Sequence, residues 1–476
     1  MSLQDEIKQL KQENAELRQL LNEALETIKE LQAQLGQNSR NSNWPSSREK
    51  GSKMRRTKSL RRKSDKAAGG QAGHAGRTLE FSASVERIVR HRPGQCAHCQ
   101  ATVPTRGGGQ VSQRRQVVDI PPLSMEIVEH QVESLVCPDC GCQTTGDFPT
   151  GVSAPVQYGP RLKALAVYLK DEHFIPYARS QRFLHDLFGV ALSPGTLQNI
   201  MQQAAQRLHP VTEKIKASLC DEPVVHFDES GFYIGGQRRW LHSAGSQRLT
   251  YYAPHPYRGQ RATHEIGILP HFRGTAQHDH WATYWQYKQC GHALCNAHHL
   301  RELNAFGEEG DQPWAMRFKH FLLAVKAVVE VRRQQGHAAL PPDKLAQVER
   351  LYHRLTSQAL QANPPPPDGW PQGQRGRPKK SKARNFAERL AKHAQAVLAF
   401  AYDFTVPFDN NLAERDLRML KVQQKISGCF RSLQGAQAFC TTRTYIASLR
   451  KQGISIWTAL NSIFSGQLIE PAYTPV

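Results

Sequence analysis

The segments EPVVHFDES (222–230), GFYIGG (231–236), RRWLHSAG (238–245) and RLTYYAPH (248–255) decide the fold of this chain. Their β-branched and aromatic residues, separated by glycine-containing turns, predict short strands, three of them adjacent and antiparallel. The next stretch, GQRATHEIGIL, predicts a helix. GTAQHDHWATYWQY and HALCNAHHLRELNAF each predict a strand, a turn and a helix. This order indicates a mixed sheet covered by helices, so we expect a multidomain α/β chain.

The length and charge of the chain narrow its possible partners. A chain of 476 residues is too long for one ordinary core, so we expect several domains. The formal net charge of +21 favours a polyanionic partner, and nucleic acid is the usual one. No apolar run approaches the roughly 18 residues of a membrane span, and the charged start lacks a signal region. We therefore expect a cytoplasmic protein whose ten cysteines are metal ligands or buried thiols rather than disulfides.

Residues 1–36 carry two mainly apolar series with a spacing of seven, which predicts a coiled coil of the leucine-zipper type. The residues expected to hold two copies together include Leu10, Asn14, Leu17, Leu21, Ile28 and Leu31. The polar Asn14 in one seam favours a dimer with a fixed register. The alternative is a single amphipathic helix packed on its own chain.

Residues 37–80 are rich in Ser, Gly, Lys and Arg and have no periodicity, which is typical of a flexible basic linker. The basic run from Arg48 to Lys66 either neutralises phosphates without reading sequence or is a solvated tether. A basic leucine-zipper factor is rejected, because in such a factor the basic helix precedes the zipper.

Residues 81–150 hold two CxxC motifs, which predict a Cys₄ zinc-binding domain. The predicted zinc ligands are Cys96, Cys99, Cys137 and Cys140. Cys142 is an alternative fourth ligand to Cys140. The alternating pattern of residues 116–136 predicts strands of a small ribbon between the motifs.

Residues 151–215 predict helices, with Ser193 as an N-cap and Pro194 as the first residue of the helix that follows. A helix-turn-helix that enters DNA and an ordinary packed pair of helices are both compatible with this pattern.

Residues 306–363 are mostly helical in pattern, and a proline-rich basic stretch over 364–384 follows. Its RGRP (375–378) resembles a minor-groove hook, although a basic exposed loop is the simpler interpretation. A long helix is expected over about 385–404, and a helical tail over 431–476.

Three acidic residues are candidates for chemistry. Asp228 and Asp279 each follow an apolar strand pattern, where a turn or cap residue is the ordinary interpretation. In FDNNLAERDLRML (408–420), Asn411 is expected to cap a helix and to place Glu414 at the third helical position, as in a capping box. Jointly, however, two Asp on neighbouring strands and an acid on a helix could hold two divalent metals for phosphoryl transfer. Basic residues near them that would attract phosphate are Arg258, Arg261, Arg301, Arg415, Arg418, Lys421 and Lys425.

The ordered motifs HFDES, YRGQ, QHDHWATY, CNAHHLREL and FDNNLAERDLRMLKVQQKISGCFRS resemble those of transposases of the IS66 insertion-sequence family. The resemblance covers nearly the whole chain. It implies a ribonuclease-H-like core over 216–430, interrupted by a helical insertion at about 306–395. By motif position it also implies a catalytic Asp-Asp-Glu triad of Asp228, Asp279 and Glu414, which binds Mg²⁺ or Mn²⁺.

The same resemblance suggests that His298 lies near the site, with Arg301 and Glu302 around it. A structural hydrogen bond is the alternative role of His298. A second zinc site made of Cys290, Cys295 and His298 is disfavoured, because the family motif explains these residues without a metal.

The function implied is metal-dependent cleavage of DNA at the ends of an insertion sequence, followed by strand transfer to target DNA. The expected partners are terminal inverted repeats, target DNA, a second copy of the chain and small accessory proteins of the same element, in a bacterial nucleoid. Two alternatives are a catalytically silent, transposase-derived DNA-binding protein and a structure-selective nuclease with the same core.

Overall fold

The computed structural model describes residues 79–103, 110–309, 312–366 and 380–474. The predicted coiled coil, nearly all of the basic linker and the RGRP segment lie outside these residues, so these three remain predictions. Within the described part, residues 79–129 with Leu187–Gly189 form one compact unit, and residues 130–186 with 190–474 form the other.

A short antiparallel ribbon is formed by β1 (Ser134–Val136) and β2 (Gln143–Thr145). The prediction of strands throughout residues 116–136 is wrong, because within this segment only the last three residues form a strand. Pro121 and Pro122 interrupt the alternating pattern, and proline cannot donate the hydrogen bond that a strand ladder needs.

Three α-helices follow, α1 (Pro160–Val167), α2 (Tyr177–Phe188) and α3 (Pro194–Cys220). A π-helical turn, Tyr168–Glu172, continues directly from α1. The predicted start of α3 is confirmed, since Pro194 is its first residue and the Ser193 hydroxyl accepts the backbone N–H of Thr196 at 3.0 Å.

The strands of the main sheet are β3 (Val224–Ile234), β4 (Gln237–Gly245), β5 (Thr250–His255), β6 (Thr275–His278) and β7 (Gly291–Leu294). Their spatial order is β5-β4-β3-β6-β7. The pairs β3–β4 and β4–β5 are antiparallel, whereas β3–β6 and β6–β7 are parallel. The prediction of three adjacent antiparallel strands within a mixed sheet is therefore confirmed.

One detail of the strand prediction is wrong. EPVVHFDES and GFYIGG supply a single strand of 11 residues, not two short ones. Gly231 does not end the strand, because it pairs with Trp240 and lies under the Arg238 side chain. The turn comes later, at Gly235 and Gly236, whose φ angles of +55° and +76° suit a tight hairpin.

The remaining helices are α4 (Gln260–Ile266), α5 (Asn296–Glu309), α6 (Pro313–Gln334), α7 (Pro342–Ala362), α8 (Lys382–Lys392), α9 (Ala394–Tyr402), α10 (Asn411–Ser427), α11 (Leu433–Lys451) and α12 (Ile456–Ser465). The α10 helix packs on β3 and β4, and α11 packs on β5 and on α3. Their shared core contains Phe232, Leu241, Tyr252, Leu420 and Phe439, all buried. Burial of these apolar faces fixes α10 against the centre of the sheet.

The helices α6 to α9 enclose a second core, whose buried aromatic side chains include Trp314, Phe318, Tyr352, Phe386 and Phe400. The prediction of one long helix over about 385–404 is wrong, because the chain leaves helical geometry at His393 between α8 and α9. The His393 ring instead stacks on Trp285, with 3.8 Å between ring centroids.

A membrane-crossing helix is not found in the part of the chain that the structure describes.

Candidate active site

Asp228 and Asp279 lie at corresponding positions on the two central parallel strands. The pairing of β3 with β6 ends at His226 opposite Gln277, so two residues further along the two aspartates face one another across the strands. Asp279 directly follows β6, as predicted. Asp228 does not end its strand, which is a correction: β3 continues to Ile234. It does lie just past the end of the parallel pairing, because β6 is short.

Both aspartates are half-buried, and the pKa of each carboxyl is raised. Burial, reinforced by the neighbouring charges of Glu229 and Asp279, raises the pKa of Asp228 well above its usual value. Burial and Glu229 also raise the pKa of Asp279 to about 6. Each carboxylate accepts a 2.8 Å hydrogen bond from a backbone N–H, that of Glu229 for Asp228 and that of Trp281 for Asp279.

Neither aspartate forms a salt bridge with any residue that the structure describes. Two mutually repelling carboxylates outside any direct salt bridge among the described residues are a favourable donor set for a divalent metal ion, which prefers hard oxygen ligands. The residues present therefore fit the metal that the sequence resemblance implies.

Glu414 lies in the first turn of α10, and its charge contributes to the raised pKa of Asp228. The predicted capping box is wrong. Asn410, not Asn411, occupies the N-cap position, and its side chain makes no capping hydrogen bond. The Glu414 carboxylate instead accepts a 3.3 Å hydrogen bond from Arg301. Its side chain is therefore directed by a residue of α5 and not by its own helix end.

Asn410 joins three elements at this point. Its side-chain oxygen lies 2.7 Å from His226 Nδ1, and its side-chain nitrogen donates to the carbonyl of Phe227 at 2.9 Å. Its backbone N–H donates to Cys295 Sγ at 3.1 Å. The start of α10 is thus attached to β3 directly before Asp228 and to the junction of β7 with α5. Sequence reasoning missed this residue, because both of its side-chain partners are about 184 residues away.

A second missed group surrounds Glu229, which is buried in the sheet. Its carboxylate accepts hydrogen bonds from Arg258 Nε at 2.7 Å and from the Tyr284 hydroxyl at 2.6 Å. The Arg258 guanidinium lies 4.2 Å from the centre of the Trp281 ring and 5.1 Å from that of Trp240. Arg258 is therefore held within the protein, although the sequence suggested a role in contacting phosphate.

The other predicted basic residues fall into two groups. Arg261 forms a salt bridge with Glu265, and Lys421 donates to the carbonyl of Gly231 at 3.0 Å. By contrast, Arg415, Arg418 and Lys425 are basic side chains exposed along α10. Arg261 is also exposed, but it is paired with Glu265, whereas these three lie together on one helix, where a phosphate backbone could reach them.

Histidines flank Asp279 on both sides, and sequence reasoning did not single them out. His278 Nε2 lies 2.9 Å from His292 Nδ1. His280 Nε2 lies 2.6 Å from His299 Nε2. Since burial lowers the pKa of His278 and His299 to about 3, these rings are neutral at physiological pH and support the loop around Asp279 by hydrogen bonding.

The structure places His298 beside Glu414. Cys295, His298 and Glu414 each present a possible ligand atom, and these atoms lie within 4.8 Å of one another. Glu302, also predicted near the site, forms a 2.6 Å ion pair with Arg389 of α8. It therefore links α5 to the helical insertion.

The two CxxC turns have the same local geometry, each considered by itself. The N–H of Cys96 donates to the carbonyl of Ala101, and the N–H of Cys137 donates to that of Cys142, both at 2.8 Å. Hydrogen bonds from nearby backbone N–H groups lower the pKa of Cys96 and of Cys140, which favours thiolates. The predicted ligands Cys99 and Cys140 are exposed. A Cys₄ zinc site remains a prediction.

Comparison with known proteins gives the family. A model of the transposase IS66 family matches residues 155–438, more than half of the chain, and this span includes the sheet, the helical insertion and all three acids. A family of unknown function matches residues 2–80. No curated protein matches the sequence. The chain therefore belongs to the IS66 family of transposases.

Proposed function

We propose that this protein cuts phosphodiester bonds at the ends of an insertion sequence and joins the freed 3′-hydroxyl to target DNA. The catalytic residues in this proposal are Asp228, Asp279 and Glu414. The observation that carries it is the apposition of two half-buried aspartates, neither in a salt bridge within the described residues, on adjacent parallel strands. A third carboxylate approaches them from the first turn of α10.

The proposed core is ribonuclease-H-like. The five-stranded mixed sheet supports this, with two acids on its central strands and one on a helix packed against it. Asp228, Asp279 and Glu414 would hold two Mg²⁺ or Mn²⁺ ions, which activate the attacking oxygen and stabilise the leaving oxygen.

The residues around the triad have distinct tasks in this proposal. Asn410 fixes the start of α10 to β3, and Arg301 directs the Glu414 carboxylate. The Glu229–Arg258 ion pair supports the loop that follows Asp279, because the Arg258 guanidinium packs on the ring of Trp281. Arg415, Arg418 and Lys425 are exposed on α10 and would contact the DNA backbone.

The remaining parts of the proposal concern assembly. The coiled coil of residues 1–36 would pair two copies, so that two DNA ends are held together. Residues 81–150 would bind structural zinc, and this segment, the basic linker and the helices that follow would bind the terminal repeats. Small proteins of the same element would assist in the bacterial nucleoid.

The test is cleavage and joining of DNA that carries the flanks of the gene, with Mg²⁺ and with Mn²⁺. Asp228→Asn, Asp279→Asn and Glu414→Gln should each lower cleavage at least about a hundredfold, because each removes a charge that the transition state needs. The matched control is Asp409→Asn, which keeps the oxygen that accepts the N–H of Asn411. It should cut and join like the wild type.

The outcomes separate the alternatives. Retained activity in Glu414→Gln with loss in Asp409→Asn would move the third acid to Asp409. Cutting without joining would favour a structure-selective nuclease. Binding of the ends with neither reaction, even with the companion proteins added, would favour a silent DNA-binding protein.

A further inference from the structure

Three potential metal ligands of three chemical kinds, a thiol, an imidazole and a carboxylate, meet beside the carboxylate pair. Cys295 directly precedes α5, and His298 follows three residues later, so both side chains lie at the first turn of that helix. Glu414 approaches from the first turn of α10. Their ligand atoms all lie within 4.8 Å of one another, which is close enough to surround one ion.

The surroundings of this cluster are rigid. Cys295 is 2 % exposed and accepts the backbone N–H of Asn410. The N–H of Asn296 donates to the carbonyl of Phe408 at 3.1 Å, which fixes the start of α5 to the chain leading into α10. The start of α5 is thus attached to the chain leading into α10 by one backbone hydrogen bond that is independent of the three ligand side chains, and by a second that ends on the Cys295 thiol.

One atom of the cluster lacks a partner. His298 Nδ1 is buried and makes no hydrogen bond with any described residue. A buried imidazole nitrogen without a hydrogen bond is unfavourable, and a bound group would remove this cost. Because the neighbouring donors are a thiol and a carboxylate, a cation satisfies all three.

We propose that Cys295, His298 and Glu414 form a binding site for a zinc-class transition metal ion, distinct from the Asp228–Asp279 pair. A thiolate with an imidazole selects Zn²⁺ or Co²⁺ over Mg²⁺, which prefers oxygen ligands only. Three protein ligands leave a fourth position for water. Cys290 is not a member of this cluster, since its thiol donates to the carbonyl of Tyr287 at 3.4 Å.

The site has a consequence that rests on the proposed function. Glu414 would belong both to this site and to the catalytic triad, so the two sites would compete for its carboxylate. Zinc bound at Cys295 and His298 would therefore oppose Mg²⁺-dependent cleavage. Arg301 donates a long hydrogen bond of 3.3 Å to Glu414, and a cation could take its place on the carboxylate.

The experiment counts zinc in the full-length chain. Protein stripped with a chelator is reloaded with Zn²⁺, dialysed, and analysed for zinc per chain without DNA. Cys295→Ser, His298→Asn and Glu414→Gln should each hold one equivalent less than the wild type. Two controls, Cys290→Ser and Asp228→Asn, should hold the wild-type amount, because neither residue is in the cluster. Circular dichroism checks that every variant is folded.

The result that overturns the proposal is a wild-type zinc content in folded Cys295→Ser and His298→Asn. Loss of the same equivalent in Asp228→Asn would overturn it too, because the ion would then sit among the catalytic carboxylates. The count does not depend on activity. If the wild type is inactive but Cys295→Ser still holds one zinc less than it does, the proposed function is refuted and the zinc site is not.

Discussion

At the scale of single residues, the position of the third acid depends on a side chain that carries no charge. Asn410 uses its oxygen, its amide nitrogen and its backbone N–H to hold β3 and α5. It is 3 % exposed, so water cannot replace these bonds. The neighbouring Asn411 is exposed, and its backbone N–H donates to Asp409.

We predict that Asn410→Ala destabilises the protein by on the order of 2–4 kcal/mol, because it leaves His226 Nδ1 and the Phe227 carbonyl buried without partners. Cleavage should fall as well, since Glu414 loses its fixed position. Asn411→Ala is the matched control and should change stability by less than about 0.5 kcal/mol. Urea unfolding of both variants measures this, and equal midpoints for the two would contradict the role assigned to Asn410.

At the scale of elements, a buried arginine of α11 binds the π-helical turn that follows α1. Arg443 of α11 is 4 % exposed and donates to the carbonyl of Asp171 at 3.2 Å and to the Glu172 carboxylate at 2.5 Å. The Asp171 side chain is itself buried, and its Oδ2 has no hydrogen-bond partner among the described residues. Burial raises its pKa from 3.8 to about 6.

A raised pKa in the folded state has a defined effect on stability. The folded chain binds a proton that the unfolded chain has already released, so this contribution is complete below about pH 4 and is lost as pH rises through about 6. We predict that wild-type stability falls by up to about 3 kcal/mol relative to Asp171→Asn between pH 4 and pH 7. Urea unfolding across this range measures the difference. A constant difference between the two proteins would show that Asp171 is ionised throughout.

Local sequence patterns predicted some of the helices and strands but not others. The alternating pattern and turn residues predicted the antiparallel strands, and Ser193 with Pro194 predicted the start of α3, because these signals are local. Other features involve residues in other elements. Gly231 within β3 lies under Arg238 of β4, and His393 at the helix break stacks on Trp285. Asn410 at the N-cap position of α10 contacts His226 of β3. Local patterns cannot contain such partners. The candidate acids came from ordered motifs, and sequence spacing alone does not bring residues 228 and 414 together.

At the scale of the whole molecule, the coil predicted from the sequence would set the number of copies. In its heptad pattern, Leu17 and Leu21 belong to the two apolar series, whereas Gln19 belongs to neither and is expected on the outer face. We predict that Leu17→Lys with Leu21→Lys converts a dimer into a monomer, because charges in a coiled-coil seam are not tolerated. Gln19→Lys should leave the dimer unchanged. Light scattering with size exclusion gives the mass, and a dimer that survives the double substitution would assign self-association to another surface.

The bond between His226 and Asn410 has a consequence for synthesis of the chain. It joins residues that are 184 positions apart, with the whole helical insertion between them. A ribosome adds roughly 5–20 residues per second, so roughly 10–40 s pass between the emergence of the first acid and that of the third. During that interval β6 and the helices α6 to α9 are synthesised, but α10 is not yet present. Under the proposed function, a copy could cut DNA only after α10 has been synthesised, and a chain released before that point would lack Glu414.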